Sequence, residues 1–207
     1  MQEHVRSGGT DLKEPLVVFA GRSNVGKSST IRALTGRKVR VGKKPGSTRW
    51  ELMISMGPVT FVDIPGFGHM SGVSKTGIEE MKTTIIQKLE GWSDRLALAV
   101  LIVDISLFRE LVERWETRGE IPIDVEFYTF LSEITPHVIV VANKIDKLKK
   151  RQQSVELEYL AFKLKEALPD IEPNIVPLAA QKKQGISDLK YAVEMVLVQS
   201  GLETPEW

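Results

Sequence analysis

Residues Gly21-Arg22-Ser23-Asn24-Val25-Gly26-Lys27-Ser28 fit the pattern G-x-x-x-x-G-K-[ST] and follow directly on an apolar run, Leu16-Val17-Val18-Phe19-Ala20. A strand, a glycine turn and a helix start, in that order, are the context in which this pattern holds phosphate. The glycines let successive backbone N–H groups point at phosphate oxygens, and a helix opening near Lys27 adds the positive end of its dipole. Lys27 is placed to reach the β- and γ-phosphates, and the Ser28 hydroxyl to ligate Mg²⁺. The pattern demands a strand feeding a helix at one end of a sheet. It is silent about which nucleotide binds.

The rest of the chain repeats strand and helix. The first helix is expected from Lys27 to Leu34, ended by Gly36. Glu51–Ser55 and Val59–Asp63 read as a hairpin through Gly57-Pro58. Apolar residues at 78, 81, 85, 86 and 89 predict a helix from Ile78 to Gly91. Leu96–Val103 is apolar throughout, as for a parallel strand covered on both faces. Leu107, Phe108, Leu111, Val112 and Trp115 predict a short amphipathic helix, followed by a loop at Gly119–Pro122 and a helix at Val125–Ile134. Strand His137–Ala142, a basic loop Lys144–Arg151, helix Ser154–Leu168, strand Asn174–Leu178 and helix Ser187–Gln199 with Ser187 as N-cap complete the reading. This is an α/β fold, a three-layer αβα P-loop NTPase with a mostly parallel six-stranded sheet and one antiparallel strand at its edge. With 207 residues, 42% of them hydrophobic, one domain over 15–200 is expected, with a flexible lead-in at 1–14 and a tail at 201–207.

The chain has no cysteine, which excludes disulfides, thiolate catalysis and cysteine-ligated zinc. Its longest apolar run is far too short to span a bilayer, and no secretory core or lipidation signal is read at either end, so a cytoplasmic protein without a membrane anchor is expected. Net charge is only +1, so any nucleic-acid contact must come from local patches. One such stretch, Arg37 to Arg49, carries Arg37, Lys38, Arg40, Lys43, Lys44 and Arg49 and no acid. Lys147, Lys149, Lys150, Arg151, Lys182 and Lys183 form a second candidate patch. Each of these also reads as an ordinary solvated face.

Four further stretches fall at strand ends, where an open α/β sheet has its ligand crevice. Asp63-Ile64-Pro65-Gly66 would hold Mg²⁺ through its aspartate and offer the Gly66 N–H to a γ-phosphate. Thr48, in Pro45-Gly46-Ser47-Thr48, stands where a second hydroxyl ligand for Mg²⁺ is needed. Asn143-Lys144-Ile145-Asp146 discriminates among bases. Guanine presents N1–H and N2–H₂ as adjacent donors, which one carboxylate accepts together, and adenine has no such pair. Asp146 therefore selects guanine, Asn143 ties its loop to the phosphate loop, and the Lys144 stem covers the base. Ala179-Ala180 offers a backbone N–H, that of Ala180, to guanine O6. The expected nucleotide-binding set is Gly21, Arg22, Ser23, Asn24, Val25, Gly26, Lys27, Ser28, Ser29, Gly46, Ser47, Thr48, Asp63, Ile64, Pro65, Gly66, Asn143, Lys144, Asp146, Ala179, Ala180 and Gln181. Ser28, Thr48 and Asp63 are the metal set.

In order, GRSNVGKSS, PGST, DIPG, NKID and a final strand followed by AAQKKQGI resemble the small GTPases of the TRAFAC class, and among them the EngB (YihA) family. The resemblance covers about 15–200 and is most specific at Gly21–Ser29, Pro45–Arg49, Asp63–Gly68 and Lys182–Ile186. It implies a GTP- and GDP-binding protein with Mg²⁺, an assembly factor for the large ribosomal subunit, required for normal cell division and septation. Two departures stand out: Ala179 replaces the serine usual at the start of the last loop, and Asp104–Ile123 is longer than the common bacterial pattern, as in an archaeal-type member.

Lys27, Asn24, Thr48 and Gly66 are the candidate catalytic residues. Switch GTPases that hydrolyse well place a glutamine just after the Asp-x-x-Gly motif, where this chain has Phe67. Slow intrinsic hydrolysis is expected, stimulated by a partner or a monovalent cation. Asn24 matches an asparagine that ligates K⁺ in some related GTPases, and it equally suits a residue that only braces the loop. His69 has no companion residue for a general-base role, and nothing suggests an obligate oligomer, so a monomer is expected. Two other readings stay open on the residues alone: a signalling switch acting on protein effectors, against which the missing lipidation sites speak, and an ATP-dependent phosphotransferase, against which Asp146 speaks. Asp146→Asn is expected to lower guanine-nucleotide affinity by orders of magnitude and to shift preference to xanthine nucleotides, measured by competition of GTP and XTP against a fluorescent GDP.

Overall fold

A computed structural model of the chain describes residues 14–37, 51–67 and 75–207, with the backbone alone at 75, 76, 78, 79 and 81. Six strands, β1 (Leu16–Gly21), β2 (Leu52–Ser55), β3 (Thr60–Asp63), β4 (Leu96–Asp104), β5 (Val138–Asn143) and β6 (Asn174–Leu178), form one sheet in the order β2-β3-β1-β4-β5-β6. Only β2 runs antiparallel, against β3. The other pairs are parallel, which requires a crossover between successive strands. Helices α1 (Lys27–Thr35), α2 (Lys75–Glu90), α3 (Phe108–Glu116), α4 (Ile123–Ile134), α5 (Lys150–Ala167) and α6 (Ile186–Gln199) lie between the strands or, for α6, after the last one.

Strand alternation divides the core into two apolar layers. From β1, Leu16, Val18 and Ala20 join one layer with Leu89 of α2, Phe108 of α3, Phe127 of α4 and Leu160 of α5. Val17 and Phe19 point the other way, to Ile31 of α1 and Leu189 and Val193 of α6. The sheet is thus covered on both faces, which accounts for the unbroken apolar runs of β1 and β4. Chain direction on leaving β1 switches between its neighbours β3 and β4, so the strands' carboxyl ends open a crevice there.

Three strands run one residue beyond their apolar stretch, and that residue is polar or glycine in each: Gly21, Asp104 and Asn143. Asp104 pairs in register with Asn143, and Asn143 with Leu178. The ladder carries these positions to one edge of the sheet.

Several element ends differ from expectation, α2 among them, which begins at Lys75 and not at Ile78. Helix α5 begins at Lys150 and not at Ser154; Gln152 Oε1 accepts the Lys149 N–H at 3.3 Å, and this cap outweighs a cationic first turn. Ser187 does not cap α6. That helix starts at Ile186 behind Gly185, whose φ of 81° and close approach to Pro177 leave no room for a side chain. Helix α4 begins at Ile123, which brings Asp124 into its first turn. The last residues lie against the domain: the Glu206 N–H donates to Met56 O at 2.8 Å, and the Trp207 ring meets Phe61 edge-on at 5.7 Å.

Candidate nucleotide-binding site

The phosphate loop leaves β1 at Gly21 and turns through two left-handed residues, Asn24 at φ 68° and Gly26 at φ 99°. Asparagine tolerates that conformation better than other non-glycine residues, a property that fits Asn24 as a brace of the loop. Its side chain is exposed, and its carbonyl accepts Lys144 Nζ at 2.7 Å. At the start of α1, Lys27 forms an ion pair with Asp63 Oδ1 from the end of β3, and Ser28 Oγ lies 3.5 Å from Asp63 Oδ2. A hydroxyl and a carboxylate converging beside an ammonium form a hard-oxygen set that suits Mg²⁺, which takes most of its remaining ligands from phosphate and water. Among the described residues no group of three or more His, Asp or Glu forms a metal cage. Ser29 sits half-buried in the first turn of the same helix.

The Asp63–Phe67 segment is laid directly on the phosphate loop. Ser23 N–H donates to Phe67 O at 3.1 Å, and Phe67 N–H to Gly21 O at 3.4 Å. Ile64 is buried and its N–H donates to Phe19 O at 3.3 Å, while Pro65 is half-buried. A methyl at Gly66 would lie 2.9 Å from Ser23 N, so only glycine permits this approach. Phe67 turns away from the crevice: its ring is 2% exposed and stacks on Phe127 of α4, with centroids 3.9 Å apart. The residue at the glutamine position therefore belongs to the core.

Asn143 joins three loops. Its Nδ2 donates to Val25 O at 2.8 Å and its Oδ1 accepts the Ala180 N–H at 3.1 Å, with the residue 2% exposed. A Cβ at Gly26 would come within 2.3 Å of Asn143 Nδ2, which explains the glycine. The Ala180 N–H, expected to meet guanine O6, is thus committed to Asn143, and an O6 contact requires that bond to be shared or given up. Ala179 is buried with its N–H on Gln184 O at 3.0 Å, and Gln181 is exposed. Lys144, at φ 64°, reaches both Asn24 O and, at 2.5 Å, Asp104 Oδ2. Asp146 stands beside the crevice with Lys182 Nζ at 3.2 Å. Lys147, Lys149, Lys150, Arg151, Lys182 and Lys183 are all exposed around it.

Two carboxylates were missed in the sequence. Asp104 closes β4, is buried, and holds the Ser106 N–H and hydroxyl as well as Lys144. Asp124, also buried, faces Arg22, with Oδ2 3.7 Å from Nη1. An aspartate closing an apolar strand was the available signal for the first. Asp124 looked like any acid near a helix start. Burial pushes the Asp124 carboxyl up to about 6, the Arg22 guanidinium opposes this, and the Asp104 charge adds to it. The native protein therefore takes up a proton as pH falls through about 6, whereas the unfolded chain does so only near 3.8. The cost of burying the charge stands in full above the higher value and is gone below the lower. Gly46, Ser47, Thr48, His69 and the cations Lys38, Arg40, Lys43, Lys44 and Arg49 lie outside the described residues. Arg37 donates from Nη1 to Ser55 O at 2.8 Å.

A family model described as 50S ribosome-binding GTPase matches residues 16–144. The chain is 41% identical over 181 residues to a probable GTP-binding protein EngB of Pyrococcus abyssi, covering 87% of this chain and 85% of that one. The chain belongs to the EngB family of GTP-binding proteins. It is 41% identical to the relative from Methanopyrus kandleri, over 90% of this chain and 94% of the other, and both sources are archaeal. A solved structure of a probable GTP-binding protein engB superposes with a TM-score of 0.80 at 42% identity, covering 89% of this chain and 99% of that one. Membership makes the chain a guanine-nucleotide-binding, GTP-hydrolysing enzyme. Among the described residues no helix is long and apolar enough to cross a membrane. Asn143→Ala strips partners from two buried backbone groups and is expected to destabilise the domain by about 3 kcal/mol and to weaken GDP binding, read by urea unfolding and fluorescent-GDP titration.

Proposed function

We propose that this EngB-family protein is a slow GTP-driven switch in assembly of the large ribosomal subunit, with normal cell division and septation depending on it through ribosome supply. The observation that carries the reading is the match to a 50S ribosome-binding GTPase model over 16–144, a span that includes the phosphate loop and Asn143. Ser28 and Thr48 would hold Mg²⁺ directly and Asp63 through water, and the ion neutralises charge on the β- and γ-phosphates. Lys27 exchanges its Asp63 partner for phosphate oxygens. Gly66 N–H, which makes no hydrogen bond to another described residue, is the donor for the γ-phosphate. Loss of that phosphate on hydrolysis removes the contacts of Gly66 and Thr48 with it, and the cations from Arg37 to Arg49 are presented differently in the two states. Contact of these cations with ribosomal RNA phosphates gives the switch a salt-sensitive readout.

The buried Phe67 supports slow intrinsic hydrolysis, because nothing at its position orients the attacking water. A monovalent cation held by Asn24 or a ribosomal partner is the stimulating agent. A protein resident in the cytoplasm and acting as a monomer suits this role. Co-sedimentation with large ribosomal particles is expected with a non-hydrolysable GTP analogue and is reduced with GDP and by added salt; equal recovery under all conditions contradicts the reading. Single-turnover hydrolysis is expected to run several-fold faster in K⁺ than in Na⁺, and equal rates leave Asn24 a loop brace.

A further inference from the structure

Helix α4 sends two side chains inward one turn apart, and each meets a different loop of the nucleotide site. Asp124 faces the Arg22 guanidinium of the phosphate loop. Phe127 stacks on Phe67, next to the γ-phosphate donor Gly66. The two loops are themselves joined, since Arg22 and Phe67 are bridged and Ser23 N–H donates to Phe67 O. Arg22–Ser23, Gly66–Phe67 and Asp124–Phe127 therefore close a ring of contacts around the phosphate end of the crevice. We propose that Asp124 and Phe127 are positioning residues of the GTPase site, holding the phosphate loop and the Gly66–Phe67 turn in register through Arg22 and Phe67.

The chemistry of the Arg22–Asp124 contact sets it apart from a passive ion pair. At 3.7 Å it is longer than a hydrogen bond, and both Arg22 Nε and Asp124 Oδ1 are buried without a hydrogen-bond partner. A guanidinium and a carboxylate are shaped to close on each other at two points, and this pair stops short. Closing Nη1–Oδ2 from 3.7 Å to about 2.9 Å would turn the contact into a charge-assisted hydrogen bond and draw the phosphate loop toward α4, so the ring has a tighter arrangement within less than an ångström of displacement. The charged groups around Asp124 define its titration. Arg22 faces it from the phosphate loop, and Asp104, held by Lys144, faces it from β4 and β5. Glu126, two residues on, is paired with Lys82 of α2. Protonation of Asp124 leaves Arg22 a half-buried cation without its counter-charge and slackens the ring. The inference concerns the nucleotide site alone and stands apart from the ribosomal reading.

The two contacts predict different defects. Arg22 belongs to the loop that holds every phosphate, so slackening its anchor speeds release of GDP as well as GTP. Phe127 acts through Phe67 on Gly66, the donor proposed for the γ-phosphate, and makes no contact with the Arg22 anchor, so its loss lowers hydrolysis more than it speeds GDP release. The experiment uses the full chain, a fluorescent GDP released in a stopped-flow device between pH 5 and 8, and single-turnover GTP hydrolysis. Wild-type release is expected to accelerate about tenfold as pH falls through the Asp124 titration, a displacement of the loop by less than an ångström being enough for that. The near-isosteric Asp124→Asn is expected to release GDP quickly at every pH, and Asp124→Asn combined with Arg22→Ala to be no faster than Arg22→Ala alone. Phe127→Leu, which keeps an apolar side chain in the core, is expected to slow hydrolysis about tenfold with a smaller change in GDP release than Asp124→Asn and no change in its pH dependence. A pH dependence that persists in Asp124→Asn, additive effects in the double variant, or unchanged hydrolysis in Phe127→Leu overturns the proposal. Circular dichroism of each variant matching wild type confirms that a loss of activity is not a loss of fold.

Discussion

One buried side-chain amide holds the nucleotide site together. Asn143 leaves the end of β5, donates to Val25 O and accepts from Ala180 N–H, so three loops after three different strands share one bridging group. Each partner is a backbone atom that water cannot reach, and a buried backbone group without a partner costs on the order of a kilocalorie or more. Only asparagine, or a longer side chain that would collide with Gly26, presents a donor and an acceptor on one rigid plane. The loops that carry Asp146 and Lys27 keep their spacing because this bridge fixes them.

The charges around the bridge form a second, less complete layer. Lys144 ties the base loop to the phosphate loop at Asn24 O and to β4 at Asp104. Arg22 extends the chain of charges to Asp124, where it ends in two buried orphaned atoms. Buried charges that are not fully paired are costly, and such costs persist mostly where a structure has work for them. Helix α4 collects both kinds of contact, ionic at Asp124 and aromatic at Phe127. It is therefore the element through which the packing of the core acts on phosphate chemistry.

Much of this was legible in the sequence because its determinants are local. The phosphate loop follows an apolar run and precedes a helix start, and both neighbours are readable by period and by glycine chemistry. The expectation at Asp146 rests on donor count, a property of one side chain and one base. Family motifs in order point to EngB, and archaeal EngB proteins are 41% identical to this chain. Helix ends were less legible: the start of α5 depends on Gln152 capping Lys149, and that of α6 on a glycine pressed against β6. Neither contact has a compositional signature.

The sequence by itself determined the ligand class and the order of the motifs, because each rests on a few consecutive residues whose chemistry is readable without the fold. Tertiary structure alone decided what those residues hold in place of ligand and what holds them. It committed the Ala180 N–H to Asn143, turned Phe67 into the core against Phe127, and set Arg22 against an aspartate 102 positions along the chain. These are pairings between segments distant in sequence. They follow from strand register and helix packing, which bring together residues that no local pattern connects.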